Sequence, residues 1–397
     1  MRLEELVDLL LRWFHVVAGI LWIGNSMLFN WLDRNLVTPA SKAHQPGFQG
    51  EIWMVHSGGF YEVEKRQLAP GQLPAQLHWF KWQNGLTWIS GIFLLMVVYY
   101  LHAAAFMVDK QVADLTPATA VYVGIGVIVG SWFVYDVVWR TMGKLPRWPT
   151  LLTLLLLGGV TYLLAMTLSG RAAYMHVGVV IGTIMTGNVW TVILPSQRAL
   201  VAATESGKEQ DAALGLRAKQ RSIHNNYLTF PLIFIMVSNH FPSTWGDNHN
   251  WIVLLVIMAA SVGVRYGMNL RYSHPGWYAM VGLSLVLGLF TLVRLTTAST
   301  PPFDHSPTVS FATVDGILGN RCRTCHSARP TDELAKSTNG VVFDTPEQIA
   351  SLKLRIRARA VELKNMPVLN KTAITEAERE LLRRWIDQGG NPAATGE

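Results

Sequence analysis

The sequence predicts an all-α protein in which a bundle of eight membrane-crossing helices precedes a small, polar helical domain. Three observations carry that expectation. Half of the residues are apolar and only 15% are charged, against about 25% charged in ordinary soluble domains. The apolar residues gather into runs long enough to cross about 30 Å of hydrocarbon. After residue 296 the chain abandons this pattern and becomes polar.

Eight segments have the required length and apolarity: 7–32, 84–107, 117–139, 149–169, 172–195, 224–241, 250–270 and 276–295. Pro231 should kink the sixth, because it removes a backbone donor and clashes with the preceding turn. The third, fifth and seventh are rich in glycine, which permits close helix packing or close approach to a cofactor. Glu4, Glu5 and Asp8 replace the basic start of a cleavable signal peptide, so none is expected. Positive charge sets the orientation. Arg34, Lys42, Lys65, Arg66 and Lys81 lie between segments one and two; Arg140, Lys144 and Arg147 between three and four. Arg198, Lys208, Arg217, Lys219 and Arg221 lie between five and six, and Arg271 between seven and eight. The alternate loops offer little beyond Lys110 and Arg171. Cytoplasmic loops carry the excess of Lys and Arg, so both termini are expected on the outer side. Thr296 to Pro307 reads as a Thr/Ser/Pro linker. The layout is thus a membrane domain over 1–296, a linker over 297–310 and a small domain over 311–397.

The most specific motif is Cys322-Arg323-Thr324-Cys325-His326, which contains the only two cysteines. Two thiols separated by two residues form thioethers with the vinyl groups of a haem, and the adjacent histidine becomes an iron ligand. A thioredoxin-like pair needs a βαβ context that is absent, and zinc needs two further ligands of suitable spacing. One covalent haem c is therefore expected on Cys322 and Cys325, with His326 on the iron. Met366, in Asn365-Met366-Pro367, is the candidate sixth ligand; a thioether opposite imidazole raises the reduction potential. A core methionine is the competing reading, and His305 in the linker is the rival ligand. Thr375 and Glu378 form a capping box before an apolar face of Leu381, Leu382, Trp385 and Ile386, and Gly389 ends the helix. These features predict a class I cytochrome c-type helical domain whose first and last helices pack together. Haem attachment occurs on the outer side of the membrane, in agreement with the charge count.

Ionisable residues inside spans are costly and usually functional. His15, His102, His176 and His240 all fall in the outer half of the bundle. Gly19 follows His15 by one turn, and Gly178 and Gly182 follow His176, leaving room for a flat macrocycle. A non-covalent haem b on His15 and His176 is one reading; histidines bonded to neighbouring helices are the other. A second concentration of chemistry lies on the cytoplasmic side, in His56-Ser57-Gly58-Gly59-Phe60-Tyr61, His78-Trp79-Phe80-Lys81-Trp82-Gln83-Asn84 and His224-Asn225-Asn226-Tyr227. The first loop is long for a simple connection, which points to function, although Trp and Tyr also form membrane belts.

Residues 12–25 (RWFHVVAGILWIGN), 50–61 (GEIWMVHSGGFY) and 78–83 (HWFKWQ) resemble the N-terminal domain of the bacterial membrane-bound urate oxidases, or urate hydroxylases, in which a membrane domain is fused to a C-terminal cytochrome c. The resemblance implies oxidation of urate to 5-hydroxyisourate, with electrons passed through the cytochrome to a soluble cytochrome c or a terminal oxidase, without release of hydrogen peroxide. It also implies the bacterial inner membrane, with the lipid bilayer as surroundings and no nucleic-acid partner. Chemistry alone suggests the site: His56, His78 or His224 as general base, Lys65, Arg66, Asn225 and Asn226 as partners of an anionic purine, and Trp79 as a clamp. A site on the outer face remains an alternative. Two rival classes are a membrane-anchored electron carrier without its own substrate and a transporter with a redox tail; for the latter, Asp136 is the clearest carboxylate within a span.

Overall fold

The computed structural model describes residues 3–109, 112–145, 147–241, 244–246, 249–296, 307–332, 341–362, 364, 366–367 and 370–395. The chain is mostly helical and divides into two compact units, Met1–Trp245 with His249–Leu295, and Thr296–Glu397 with Gly246–Asn248. Lys110, His305, Asn365 and linker residues 297–306 lie outside the described residues.

In the first unit α1 (Leu3–Asn35) is followed by a hairpin of β1 (Phe48–His56) and β2 (Gly59–Arg66). Next come α2 (Trp82–Leu94), a π-helical turn (Leu95–Tyr100) and the short α3 (Ala103–Phe106). The series continues with α4 (Pro117–Met142), α5 (Trp148–Ala165) and α6 (Gly170–Gly187). A second π-helical turn (Asn188–Ile193) leads into α7 (Leu194–Glu205), then α8 (Ala212–Ser238), α9 (Asn250–Asn269) and α10 (Trp277–Thr296). Thr116, Ser169 and Asp211 cap α4, α6 and α8 through their side-chain oxygens, satisfying donors that a helix start leaves open.

Each expected segment is helical, but among the described residues six helices are both long and apolar enough to cross a membrane: Leu6–Asn35, Pro117–Met142, Trp148–Ala165, Gly170–Glu205, Asn250–Asn269 and Trp277–Arg294. The second segment turns π-helical at Leu95, and the sixth begins twelve residues earlier than expected, at Ala212, with a polar first half. Arg198, Arg217, Lys219 and Arg221, read as loop cations, are therefore helical. Outward faces remain apolar: Leu283, Val286, Leu289 and Phe290 of α10 are each more than 60% exposed, far beyond what a water-facing helix tolerates as one patch.

The all-α expectation fails at the hairpin. Ser57 and Gly58 have φ of +52° and +77°, as a two-residue hairpin turn of the right twist requires. The register sets Glu51 directly opposite Glu64, with Glu62 two residues away on the same strand. Like charges so placed repel, and Lys42 answers all three: its Nζ lies 2.5 Å from Glu62 and 2.6 Å from Glu64, and it also pairs with Glu51. The three carboxylates are close enough to hold a metal ion, but the ammonium occupies that role.

The second unit contains α11 (Phe311–Arg321), α12 (Pro346–Ser351), α13 (Lys353–Ile356), a π-helical turn (Arg357–Glu362) and α14 (Glu376–Asp387). Its core joins Val314, Ile317 and Leu318 of α11 to Leu382, Trp385 and Ile386 of α14. Val309, placed in the linker by the sequence, is buried in this core. Both bonds of the Thr375–Glu378 capping box form. Gly389 N–H donates to Ile386 O and Gly390 N–H to Trp385 O, with Gly389 at φ +102°, which is a Schellman stop.

Lys42 is raised above its ordinary 10.5 by its bonds to Glu51, Glu62 and Glu64, and Glu64 is held below its ordinary 4.5 by Lys42 and Arg66. The stabilisation is therefore complete between those two ordinary values, and is lost as pH falls through the depressed Glu64 value or climbs through the raised Lys42 value. Amide exchange over 48–66 should speed up, relative to the intrinsic rate, on acidification below that window. Lys42→Met should show the same loss of protection at neutral pH; unchanged protection would remove Lys42 from this role.

Candidate functional site

A cavity of about 690 Å³ opens among α1, α7, α8 and the strap that runs from β2 to α2. The strap supplies Leu77, His78, Trp79 and Phe80, fixed in part by the 2.7 Å bond from Gly71 N–H to Thr204 O and by edge contact of Phe80 with Phe29. Arg66, Asp33, Asn25, Gln83, Gln197 and Asn225 are among the polar residues that share the wall with apolar and aromatic side chains. That composition suits a planar, polar small molecule. Gln83 lines the cavity, and its Oε1 is buried without a hydrogen-bond partner among the described residues.

Behind Asn225 lies a polar network that the sequence reading did not foresee. Arg221, 2% exposed, donates from Nη2 to Asp136 at 3.1 Å and from Nη1 to Asn188 at 3.1 Å. Asn188 Nδ2 reaches Tyr135 Oη at 3.0 Å and Asn225 Oδ1 at 2.9 Å. Tyr135 Oη in turn lies 2.7 Å from His224 Nδ1, and the His224 ring sits 4.0 Å from that of Trp139. Asn188 opens the π-helical turn after α6, and such turns recur at functional sites. The sequence held the signal: Asp136 and Arg221 are ionisable groups within helices, but Arg221 was counted with the loop.

The expected site residues are only partly brought together. Arg66, His78, Trp79 and Asn225 line the cavity; His56, His224, Lys65 and Asn226 do not line it. His56 is exposed at the hairpin turn, bonded to Ser57. Lys65 pairs with Asp33, itself a cavity residue, at 2.6 Å. Asn226 faces another way because successive helical residues lie about 100° apart; it accepts from Arg265 Nε at 2.6 Å. The cavity residues Gln83, Asn25, Asn30 and Gln197 were not anticipated as site residues.

His15 and His176 do not face each other. His15 Nδ1 bonds Ser90 at 3.0 Å and its ring lies against Gly91, whereas His176 sits beside Tyr99 and Tyr100, more than two turns further along the same helical segment. His176 is fully buried, with Nδ1 on Ala172 O at 2.8 Å and Nε2 on Tyr100 Oη at 3.3 Å. A Cβ on Gly124 would fall 2.5 Å from that Nε2, and Gly178 is used for packing against Ile235 and Met236. His15 and His176 are thus held by different stretches of the same segment; Gly178 packs against neighbouring side chains, whereas a Cβ on Gly182 would meet nothing within 4 Å.

The second unit does fit its expected group. Cys322 N–H donates to Leu318 O, and both Cys325 and His326 N–H donate to Cys322 O, so the motif forms one tight turn at the end of α11. The two cysteines are unbridged. Burial pushes the Cys322 thiol up to about 12, which disfavours the thiolate chemistry of a redox dithiol. His326 Nδ1 lies 3.1 Å from Val341 O, an outer contact that fixes the tautomer and leaves Nε2 for a metal. Met366 is half-buried, its backbone held by Arg359 and Arg379. Cys322, Cys325, His326 and Met366 are thus the residues that could hold a haem c.

A family model described as "Urate oxidase N-terminal" matches residues 1–296. No curated protein and no solved structure matches.

Removing one partner of a buried ion pair leaves an uncompensated charge, at a cost of about 3–5 kcal/mol. Arg221→Met leaves Asp136 with only the half-exposed Arg140 as counter-charge, so it should lower the unfolding temperature of the purified protein, and Asp136→Leu in the same chain should recover part of the loss. Additive losses in the double variant would show that the pair is not coupled.

Proposed function

We propose that this chain, which belongs to the urate oxidase N-terminal family, is a membrane-spanning oxidoreductase that converts urate to 5-hydroxyisourate and delivers the electrons to a covalently bound haem c of its own. Urate and one water yield 5-hydroxyisourate, two protons and two electrons. The observation that carries the reading is the cavity of about 690 Å³, roomy enough for a purine and lined by polar groups suited to one. The unpartnered Gln83 Oε1 is an acceptor for a purine N–H. The Arg66 guanidinium, paired with Glu64 at 2.6 Å, stands at the cavity's edge as a donor to an anionic substrate, and Trp79 and Phe80 offer flat faces. His78 is the cavity's histidine, a residue type that suits a general base taking a proton from substrate or water.

A haem held by Cys322 and Cys325, with His326 and Met366 to its iron, would supply one-electron acceptor chemistry. A soluble cytochrome c or a terminal oxidase then removes the electrons, so that oxygen is not reduced at the urate site and peroxide is not released. The excess of Lys and Arg in the loops supports an orientation with both termini outside, in the inner membrane of a bacterium. Six apolar helices support the membrane assignment, with the second and sixth segments as two further crossings. An electron carrier without its own substrate leaves the polar-lined cavity unexplained. A proton-coupled transporter would need a free carboxylate, and Asp136 is committed to Arg140 and Arg221.

Under nitrogen, urate added to the purified full-length protein should lose its ultraviolet band while the haem spectrum becomes that of the reduced form. Urate loss with oxidised haem and stoichiometric peroxide in air would contradict the scheme, as would pigment that acidified acetone extracts completely. Gln83→Leu removes one hydrogen bond and should lower kcat/KM for urate about tenfold.

A further inference from the structure

Arg265 of α9 is a buried cation without a counter-charge. It is 6% exposed, and among the described residues no carboxylate pairs with it; its Nε donates to Asn226 Oδ1 and its guanidinium lies over the Phe230 ring. Two amide donors beside it are also unused. Asn226, 1% exposed, and Asn269, one helical turn beyond Arg265 on the same face of α9, each have a buried Nδ2 with no hydrogen-bond partner. Arg34, from the last turn of α1, reaches the Asn269 carbonyl at 3.5 Å.

The C-terminal carbonyls of α1 and α9 attract cations, which explains Arg34. They do not explain two buried amide N–H groups left open beside a second guanidinium, because an unmade bond of that kind costs about 1–3 kcal/mol. Two guanidinium groups and two amide donors make an anion site. Arg271, Tyr272 and Trp277, stacked together in the connection that follows α9, mark the depth of the headgroups.

We propose that α1, α8 and α9 form a binding site for a phosphate-type anion, held by Arg265, Arg34 and the amides of Asn226 and Asn269. Its source is the headgroup of an anionic phospholipid, with free phosphate as the other source of the same chemistry. Pockets of basic side chains between membrane helices take such headgroups. The site is separate from the cavity, which none of these four residues lines, and it does not depend on the reaction assigned above.

The test uses the purified full-length protein in zwitterionic detergent, titrated with phosphatidylglycerol, with phosphatidylcholine or with inorganic phosphate, while the unfolding temperature is followed. A saturable rise with phosphatidylglycerol and none with phosphatidylcholine is expected. Asn226→Asp keeps the acceptor for Arg265 and places an internal negative charge in the site. It should fold, and its half-saturating phosphatidylglycerol concentration should increase by at least about tenfold. Arg265→Lys should weaken the response while retaining part of it. If inorganic phosphate alone reproduces the full shift, the site stands and the free anion is its ligand. A wild-type protein that responds to neither phosphate source overturns the proposal, and so does an Asn226→Asp variant that responds like wild type.

Discussion

Arg221 is the constraint around which the first unit is arranged. A guanidinium at 2% exposure survives only if its lost hydration is replaced by fixed partners. Here they come from two elements: Asp136 and the Tyr135 ring on α4, and Asn188 at the π-helical turn after α6. Meeting those partners sets α4, α6 and α8 in one register. The register turns Asn225 toward the cavity and Asn226 toward Arg265. Two adjacent asparagines thereby serve two different sites, one for a polar planar molecule and one for an anion.

Much of this architecture was legible in the sequence, and the failures have identifiable causes. Long apolar runs marked every long helix of the first unit, because helical segments in hydrocarbon must satisfy their own backbone. The Thr375–Glu378 box and Gly389 marked the start and end of α14, since local side-chain bonds and φ > 0 decide those positions without tertiary help. The hairpin escaped because Ser57-Gly58 is a weak turn signal and its strands carry three glutamates. Lys42, outside both strands, makes that charge pattern tolerable, with Arg66 adding a second cation beside Glu64. Helix ends at Glu205 and Ala212 escaped because their flanking turns are polar, so hydropathy ended the segments early and put Arg221 in a loop.

The candidate site was legible only in part, for the same reason. His78, Trp79, Arg66 and Asn225 were singled out by residue type, and the cavity brings them together. His56, His224, Lys65 and Asn226 were chosen on the same grounds and are directed elsewhere. Chemistry narrows the residues that could act, but only the register of the helices decides which share a space. In the second unit the opposite holds: spacing alone defines the Cys322, Cys325 and His326 turn, and the structure adds the Val341 contact that orients the imidazole.

The central claim is that substrate is oxidised in the cavity and that its electrons reach the haem. Val201 lies on the cavity wall and belongs neither to the Arg221 network nor to the second unit's motif. The most direct measurement is the rate of urate-dependent haem reduction under nitrogen in Val201→Trp, whose indole would fill the space. Its haem should still be reduced by dithionite with an unaltered spectrum, but urate should no longer reduce it. Urate-driven reduction at the wild-type rate would place the chemistry elsewhere.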